Sequence, residues 1–243
     1  MLHAILFNKA GRNITSKEVH WRKIFTTSED SLTSTVLGTL FYLPVELVWT
    51  ILNKACLGTT ISNDSPKILS IEFWPHWNPE NTGNENLIEP DVFIRTEQLD
   101  LIIEAKRGEY NQQSPAQWEN EFQAYLNEYG DDDKKVVLLA LGGISDEHTA
   151  TIKIGAKSIQ VLKCRWINIL EQVKFAAKQL ETNKGLLNSN DSLLNILNDL
   201  ILGFALHGYS VGDWLEDADF SKLTAIDLVS LSFQFAPNNK KAV

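Results

Sequence analysis

Apolar positions recur along this chain with two different periods, and the switches between them mark out its elements. From Ser28 to Leu57, Val36, Leu37, Leu40, Phe41, Leu43, Leu47, Val48 and Ile51 follow helical spacing. They predict a core-facing helix that Pro44 kinks or divides in two. Ser28 is placed to cap it, with Glu29 and Asp30 in the first turn at the positive end of the helix dipole. Lys67 to Trp74 predicts a strand, and the segment Pro75 to Glu89, rich in Asn, Pro and Gly, predicts a loop. Two further strands follow, Val92-Phe93-Ile94 and Leu99 to Lys106, with Glu97-Gln98 at the centre of their connection.

Beyond them, Ser114-Pro115-Ala116-Gln117 reads as a capping box with proline at the first helical position. The helix runs to Tyr129, ends at Gly130, and carries Trp118, Phe122, Tyr125 and Tyr129 as its buried stripe. Gln117, Glu121 and Gln123 are its polar positions able to approach a site at the sheet. Val136 to Leu141, six apolar residues in a row, predict a strand covered on both faces, which Gly142-Gly143 terminates as a turn. Ile159 to Cys164 predicts the last core strand and Trp166 to Leu180 a helix. Residues 182 to 192 form the best linker candidate. Leu193 to Leu206 is an apolar helix whose Asn195, Asn198 and Asp199 argue against membrane insertion, and Trp214 to Leu231 continues a helical region.

This order of elements predicts an α/β protein. Residues 1-181 form the main domain, and 182-243 a linker with a helical extension packed on it. With 243 residues, 44% of them apolar, the chain has ample material for a sizeable core. Met1 to Arg12 has neither the apolar run of a signal peptide nor that of a membrane span. Cys56 and Cys164 are expected as buried reduced thiols, and both readings point to the cytoplasm.

The chemistry concentrates in Glu89-Pro90-Asp91 and Glu104-Ala105-Lys106. If the two strands pair antiparallel around Glu97-Gln98, residue numbers across the ladder sum to 195 and Asp91 lies opposite Glu104, on the same face of the sheet. Side chains two apart share a face, so Lys106, Ile102 and Asp100 accompany Glu104. Thr96-Glu97-Gln98-Leu99 has no Gly or Asn for a tight primed turn, which leaves a one-residue slip open. Hard divalent cations held by carboxylates supply both a hydroxide near neutral pH and charge stabilisation at phosphorus. Asp91 and Glu104, with the carbonyl of Ala105, are the candidate ligands for Mg2+, for which Mn2+ can substitute. Lys106 is the candidate group to position or deprotonate the attacking water and offset charge.

Pro90-Asp91 followed by Glu104-Ala105-Lys106 resembles the signature of the PD-(D/E)XK superfamily, the restriction-endonuclease-like nucleases, across roughly residues 28 to 165. The resemblance implies a central mixed sheet flanked by helices and Mg2+-dependent cleavage of DNA. It also implies one more acid from a helix before the first core strand. Glu29, Asp30 and Glu46 are the candidates, and Glu29 is favoured. Prokaryotic defence or DNA processing is the setting such a nuclease suggests. Some members place a glutamine and a tyrosine on the helix after the triad, a spacing that Gln123-Ala124-Tyr125 does not reproduce.

Charge alters this picture. With 22 Lys and Arg against 31 Asp and Glu, the net charge of −9 repels a duplex as a whole. DNA binding then requires a local basic surface, a partner subunit or a homodimer. Lys106-Arg107, Lys134-Lys135 and the group Lys153, Lys157, Lys163 and Arg165 are the candidates for that surface. The alternative from another class is a noncatalytic binding or scaffold subunit that keeps the nuclease fold. Trp74-Pro75-His76-Trp77 is an aromatic cluster near the proposed site, for which packing is favoured over base stacking. The five histidines lack paired metal-ligand spacing, and no phosphate-loop, zinc or nucleophile-elbow motif competes.

Overall fold

The computed structural model describes residues 21–210, apart from 63, 109 and 183–190. The expectations for Met1 to Arg12, for most of the linker and for Trp214 to Leu231 lie outside the described residues.

Three helices lead into the sheet: α1 (Trp21–Thr27), α2 (Glu29–Leu40) and α3 (Val45–Ala55). Ser28 caps α2 as expected, its Oγ accepting from Ser31 N–H at 3.2 Å. Pro44 divides rather than kinks the apolar stretch. It has no N–H to continue α2, and it stands at the N-cap of α3. Strands β1 (Ile68–Phe73), β2 (Val92–Thr96) and β3 (Leu99–Ala105) follow, then α4 (Pro115–Tyr129), β4 (Lys135–Leu141), β5 (Ala150–Ile154), β6 (Lys157–Cys164), α5 (Trp166–Thr182) and α6 (Asp191–Leu206).

The chain is α/β, with one six-stranded mixed sheet in the order β1-β2-β3-β4-β6-β5 flanked by helices. β1, β2 and β3 run as an antiparallel meander, β3, β4 and β6 are parallel, and β5 pairs antiparallel with β6. All seven residues of β3, Asp100 and Glu104 included, and six of seven in β4 are buried, as central strands covered on both faces are. β5 was not anticipated. It is a five-residue edge strand whose alternating Thr and Lys leave little apolar signal, joined to β6 by a turn with Gly155 at φ 57°.

Val92 pairs with Ile103, Phe93 with Ile102 and Ile94 with Leu101, all sums of 195. The connection needs no glycine because the Thr96 side chain replaces it. Thr96 Oγ1 accepts from Leu99 N–H at 3.0 Å and from Gln98 N–H at 3.3 Å, and donates to Leu99 C=O at 2.6 Å.

Alternation along β2 and β3 sends Phe93, Ile102, Asp100 and Glu104 to the face covered by α4, where Trp77, Trp118, Phe122 and Tyr125 complete the core. Helix α4 begins and ends at the expected residues, but Ser114 makes no side-chain cap bond. Gln117, its expected capping partner, instead reaches the end of β3. Gly130 is helical (φ −61°) and starts a 3-10 turn, and the left-handed residue that follows is Asp133 at φ 47°. Gly142-Gly143 is a site of close approach. A Cβ on Gly142 would lie 2.1 Å from the Lys106 carbonyl oxygen, so glycine there lets the end of β4 lie against the chain that leaves β3. Helix α6 packs Phe204 against Trp166 of α5, ring centroids 6.3 Å apart, and lays Gly203 against Thr35 of α2. Cys56 and Cys164 are free thiols placed opposite one another by an isolated bridge between the end of α3 and the end of β6. Among the described residues no helix is long and apolar enough to cross a membrane.

Candidate active site

The site lies where β3 ends. Asp91 immediately precedes β2, and the register continues to set it beside Glu104, next to last in β3. Both are buried, at 8% and 1% exposure. Asp91 is fixed from two sides: Oδ2 accepts from Ala105 N–H at 2.8 Å, and Oδ1 from Trp74 Nε1 at 3.2 Å. Trp74 leaves β1 at φ 50°, a conformation a bulky residue adopts only when its surroundings force it. The Ala105 N–H faces the β2 edge, and in a strand the carbonyl of the same residue faces the same way. The expected oxygen of Ala105 is therefore on the Asp91 side.

Lys106 Nζ closes onto Glu104 Oε1 in a short ion pair and reaches Glu29 Oε1 at 3.4 Å. Glu29 Oε2 accepts from Arg107 N–H at 2.7 Å, so the first turn of α2 is tied to the residues that follow β3. Of the three helix acids, Glu29 joins the triad and Asp30 lines the rim of the cavity, whereas Glu46 is exposed on α3 and takes no part. Gln117 Nε2 donates to Glu104 Oε1 at 2.7 Å. Gln113, which carried no sequence signal, caps the Glu104 carbonyl at 2.9 Å and accepts from Trp118 Nε1 at 2.8 Å. Gln123 bonds Asn127 instead and is not a site residue.

Asp30, Trp74, Glu89, Asp91, Glu104, Lys106 and Gln117 line a cavity of about 260 Å3. Its charges are unbalanced, with four carboxyls against one ammonium. Burial, then the neighbouring Glu104, pushes the Asp91 carboxyl up to about 7, against the opposing pull of the Ala105 N–H, Lys106 and Trp74. For Lys106, burial works against the charged form but is outweighed by Glu104 and then Glu29, which hold its ammonium up to about 12. Lys106 is thus a fixed positive charge in this arrangement, suited to orienting water rather than to removing its proton. Glu121, one turn beyond Gln117 on α4, is pushed well above the usual carboxylate range by burial and by Glu104.

A hard divalent cation fits this donor set. Asp91 and Glu104 offer carboxylate oxygens on one face, the Ala105 carbonyl joins them, and the surplus of buried negative charge asks for a cation. Among the described residues no three acidic, His or Cys side chains are already arranged around one point, and the Lys106 ammonium is paired with both Glu104 and Glu29.

The basic residues divide between the two ends of the sheet. Lys135 pairs with Leu99 at the start of β3, five residue pairs from the Glu104–Ala140 pair, or roughly 17 Å away. Lys134 is bound there to the buried Asp100 at 3.0 Å, and Lys157 to Asp133 at 2.6 Å. Lys163 and Arg165 are at the site's end but face Asp146 at 3.1 Å and Glu147 at 3.7 Å. The basic surface expected around the triad therefore reduces to Lys106 and Arg107, with Lys163 and Arg165 in ion pairs. Asp100, on the same face as Glu104, belongs to this opposite end, held by Tyr125 Oη at 3.1 Å and Lys134. Trp77 packs in the core, with Phe93 at 4.9 Å between ring centroids, and His76 pairs with Glu89 at 2.8 Å; of the aromatic cluster only Trp74 borders the cavity. No protein-family model matches this chain, and neither does any curated protein.

Proposed function

We propose that this protein is a metal-dependent nuclease of the restriction-endonuclease-like type that hydrolyses DNA phosphodiester bonds. The observation that carries the reading is the convergence of Asp91 and Glu104 at the end of the antiparallel β2–β3 pairing, with Lys106 beside them in one cavity. A mixed sheet flanked by helices and an acid, Glu29, from a helix that precedes β1 accord with the same resemblance. Asp91, Glu104 and the Ala105 carbonyl would hold Mg2+ or Mn2+, which supplies an activated water and charge stabilisation at phosphorus. Lys106, fixed as an ammonium, orients that water and offsets the charge that builds on the phosphate oxygens. Glu29 holds Lys106 from α2.

The rim is acidic, so a polyanion approaches only with cations bound, and a partner subunit or a second copy is the natural source of further phosphate contacts. Prokaryotic defence or DNA processing in the cytoplasm is the setting we assign by analogy of fold. The test is incubation of purified protein with plasmid and linear DNA in Mg2+, in Mn2+ and in chelator. Cleavage that needs the ion and disappears with Asp91→Asn supports the reading. Folded protein that cuts neither substrate in either metal would sink it and leave the noncatalytic scaffold reading.

A further inference from the structure

Cys56 and Cys164 stand opposite each other in the isolated antiparallel bridge that joins the end of α3 to the last residue of β6. The hydrogen bonds around them fix which kind of pair they form. Leu57 N–H donates to the Lys163 carbonyl at 2.8 Å, whereas the Cys56 N–H is spent on the Leu52 carbonyl and the Cys164 carbonyl on the Gly142 N–H. The two cysteines are therefore the non-hydrogen-bonded pair of the bridge. In such a pair the Cα atoms approach to roughly 4.5 Å and the side chains leave the same face. A disulfide spans about 4.4–6.8 Å between Cα atoms, so the backbone already has the separation the bond needs. The thiols also lie within electrostatic reach, since burial, and after it the neighbouring Cys56, push the Cys164 thiol well above its usual range.

Their surroundings give the two sulfurs different parts. Cys164 is fully buried and Cys56 half-buried, so a reagent from solution meets Cys56 first and Cys164 is the group placed to displace it. Burial pushes the Cys56 thiol up to about 12, which keeps its thiolate scarce at neutral pH and makes the exchange slow. Asp91, Glu104 and Lys106 all lie in the segment 56–164 that a bond between the sulfurs would close.

We propose that Cys56 and Cys164 are a site of reversible disulfide formation, oxidised by a small-molecule disulfide of the glutathione class, and that the bond fastens α3 to β6 and holds the segment carrying the acidic site in its folded form. The Cys56 thiolate attacks one sulfur of the reagent and expels a thiol, leaving a mixed disulfide. The Cys164 thiolate then attacks Cys56 Sγ and expels the second thiol. The two cysteine protons pass to the two released thiols, and the two electrons reduce the reagent. A crosslink across so long a segment stabilises by restricting the unfolded chain. In a reducing compartment the pair stays as two thiols, the form seen in this structure. The proposal is independent of the nuclease reading.

The experiment incubates the full chain with oxidised glutathione or with dithiothreitol at mildly alkaline pH. It then measures intact mass, thiols free to a maleimide after unfolding, and thermal melting. Oxidised wild type should lose both thiols and two hydrogens in mass, run as a single chain on a non-reducing gel, and yield the Cys56 and Cys164 peptides joined. It should also melt several degrees above its reduced form. Cys56→Ala and Cys164→Ser should melt at the same temperature in glutathione and in dithiothreitol. In urea, where the bridge is gone, the same glutathione mixture should leave about tenfold less of the internal bond. A wild type that keeps both thiols, stops at a glutathione adduct, links only between chains or melts no higher when oxidised overturns the proposal, and so does equal closure in urea. These wild-type measurements decide by themselves where a variant fails to fold.

Discussion

The main-chain N–H of Ala105 donates to Oδ2 of Asp91 at 2.8 Å, tying the residue just before one strand to the last residue of the next. A side chain here takes the N–H that a further ladder bond would have used. The same bond orients Asp91 toward Glu104, so the structural end of the β2–β3 pairing and the acidic centre are one feature.

Asp91 carries a pH signature in the metal-free protein. Its folded-state value of about 7 lies above the ordinary 3.8, so the native state holds a proton that the unfolded chain releases between those limits. Stability in chelator is then full below about pH 4 and falls as pH rises through 7, by up to about 4 kcal/mol. Glu121 contributes in the same direction, so the informative quantity is the difference from Asp91→Asn, whose urea midpoint should fall less with pH. Parallel pH profiles for the two proteins would refute the assignment. The same variant should show no metal-dependent cutting.

Lys106→Met should lower the cleavage rate by about two orders of magnitude or more while leaving Mn2+ binding at least as tight as in the wild type. The ammonium now lies against Glu104 and competes with a cation for that carboxylate. Weaker Mn2+ binding in calorimetry would contradict that competition, and near wild-type turnover would remove Lys106 from the reaction.

Glu29→Gln keeps an oxygen for the Arg107 N–H but loses the charge facing Lys106. A fall of roughly tenfold or more in turnover is expected, with the melting temperature nearly unchanged. Glu46→Gln, exposed on α3, is the control and should cut at the wild-type rate. Equal rates for the two variants would show that α2 contributes no functional acid.

Binding of DNA by Asp91→Asn in Ca2+ should be weak, with a shallow dependence on salt, on the order of two to three phosphate contacts. Lys134, Lys135 and Lys157 are at the far end of the sheet, and Lys163 and Arg165 face acids. A log–log slope steeper than about −5 for the isolated chain would require a basic surface beyond these residues.

Asp100 is the control for burial without chemistry. It is fully buried at the start of β3 and held by Tyr125, Lys134 and Arg95. Asp100→Ala should cost about 3–5 kcal/mol by leaving Lys134 without its carboxylate partner and the buried Tyr125 hydroxyl without its acceptor, measured by urea unfolding. The fraction that stays folded should cleave normally.

The sequence by itself determined whatever depends on neighbours along the chain. The apolar run Val136 to Leu141 demanded a central strand, Leu101-Ile102-Ile103 marked the strand ending in Glu104, Ser28 demanded a helix start, and the symmetry about Glu97-Gln98 set Asp91 beside Glu104. Local chemistry was misread where a side chain had a better use at a distance. Gln117 leaves its cap to hold Glu104, and Gly142 serves close approach to Lys106 as well as the turn. Tertiary structure alone chose Glu29 over Glu46, because both are acids on one apolar stretch and only the break at Pro44 aims α2 at the end of β3. It alone sent Lys134 and Lys163 to opposite ends of the sheet, since parallel strands carry sequence-distant lysines to whichever end the register dictates. It also buried Glu121 beside Glu104: helical spacing gives the face of α4, but what that face meets depends on a strand that ends sixteen residues earlier.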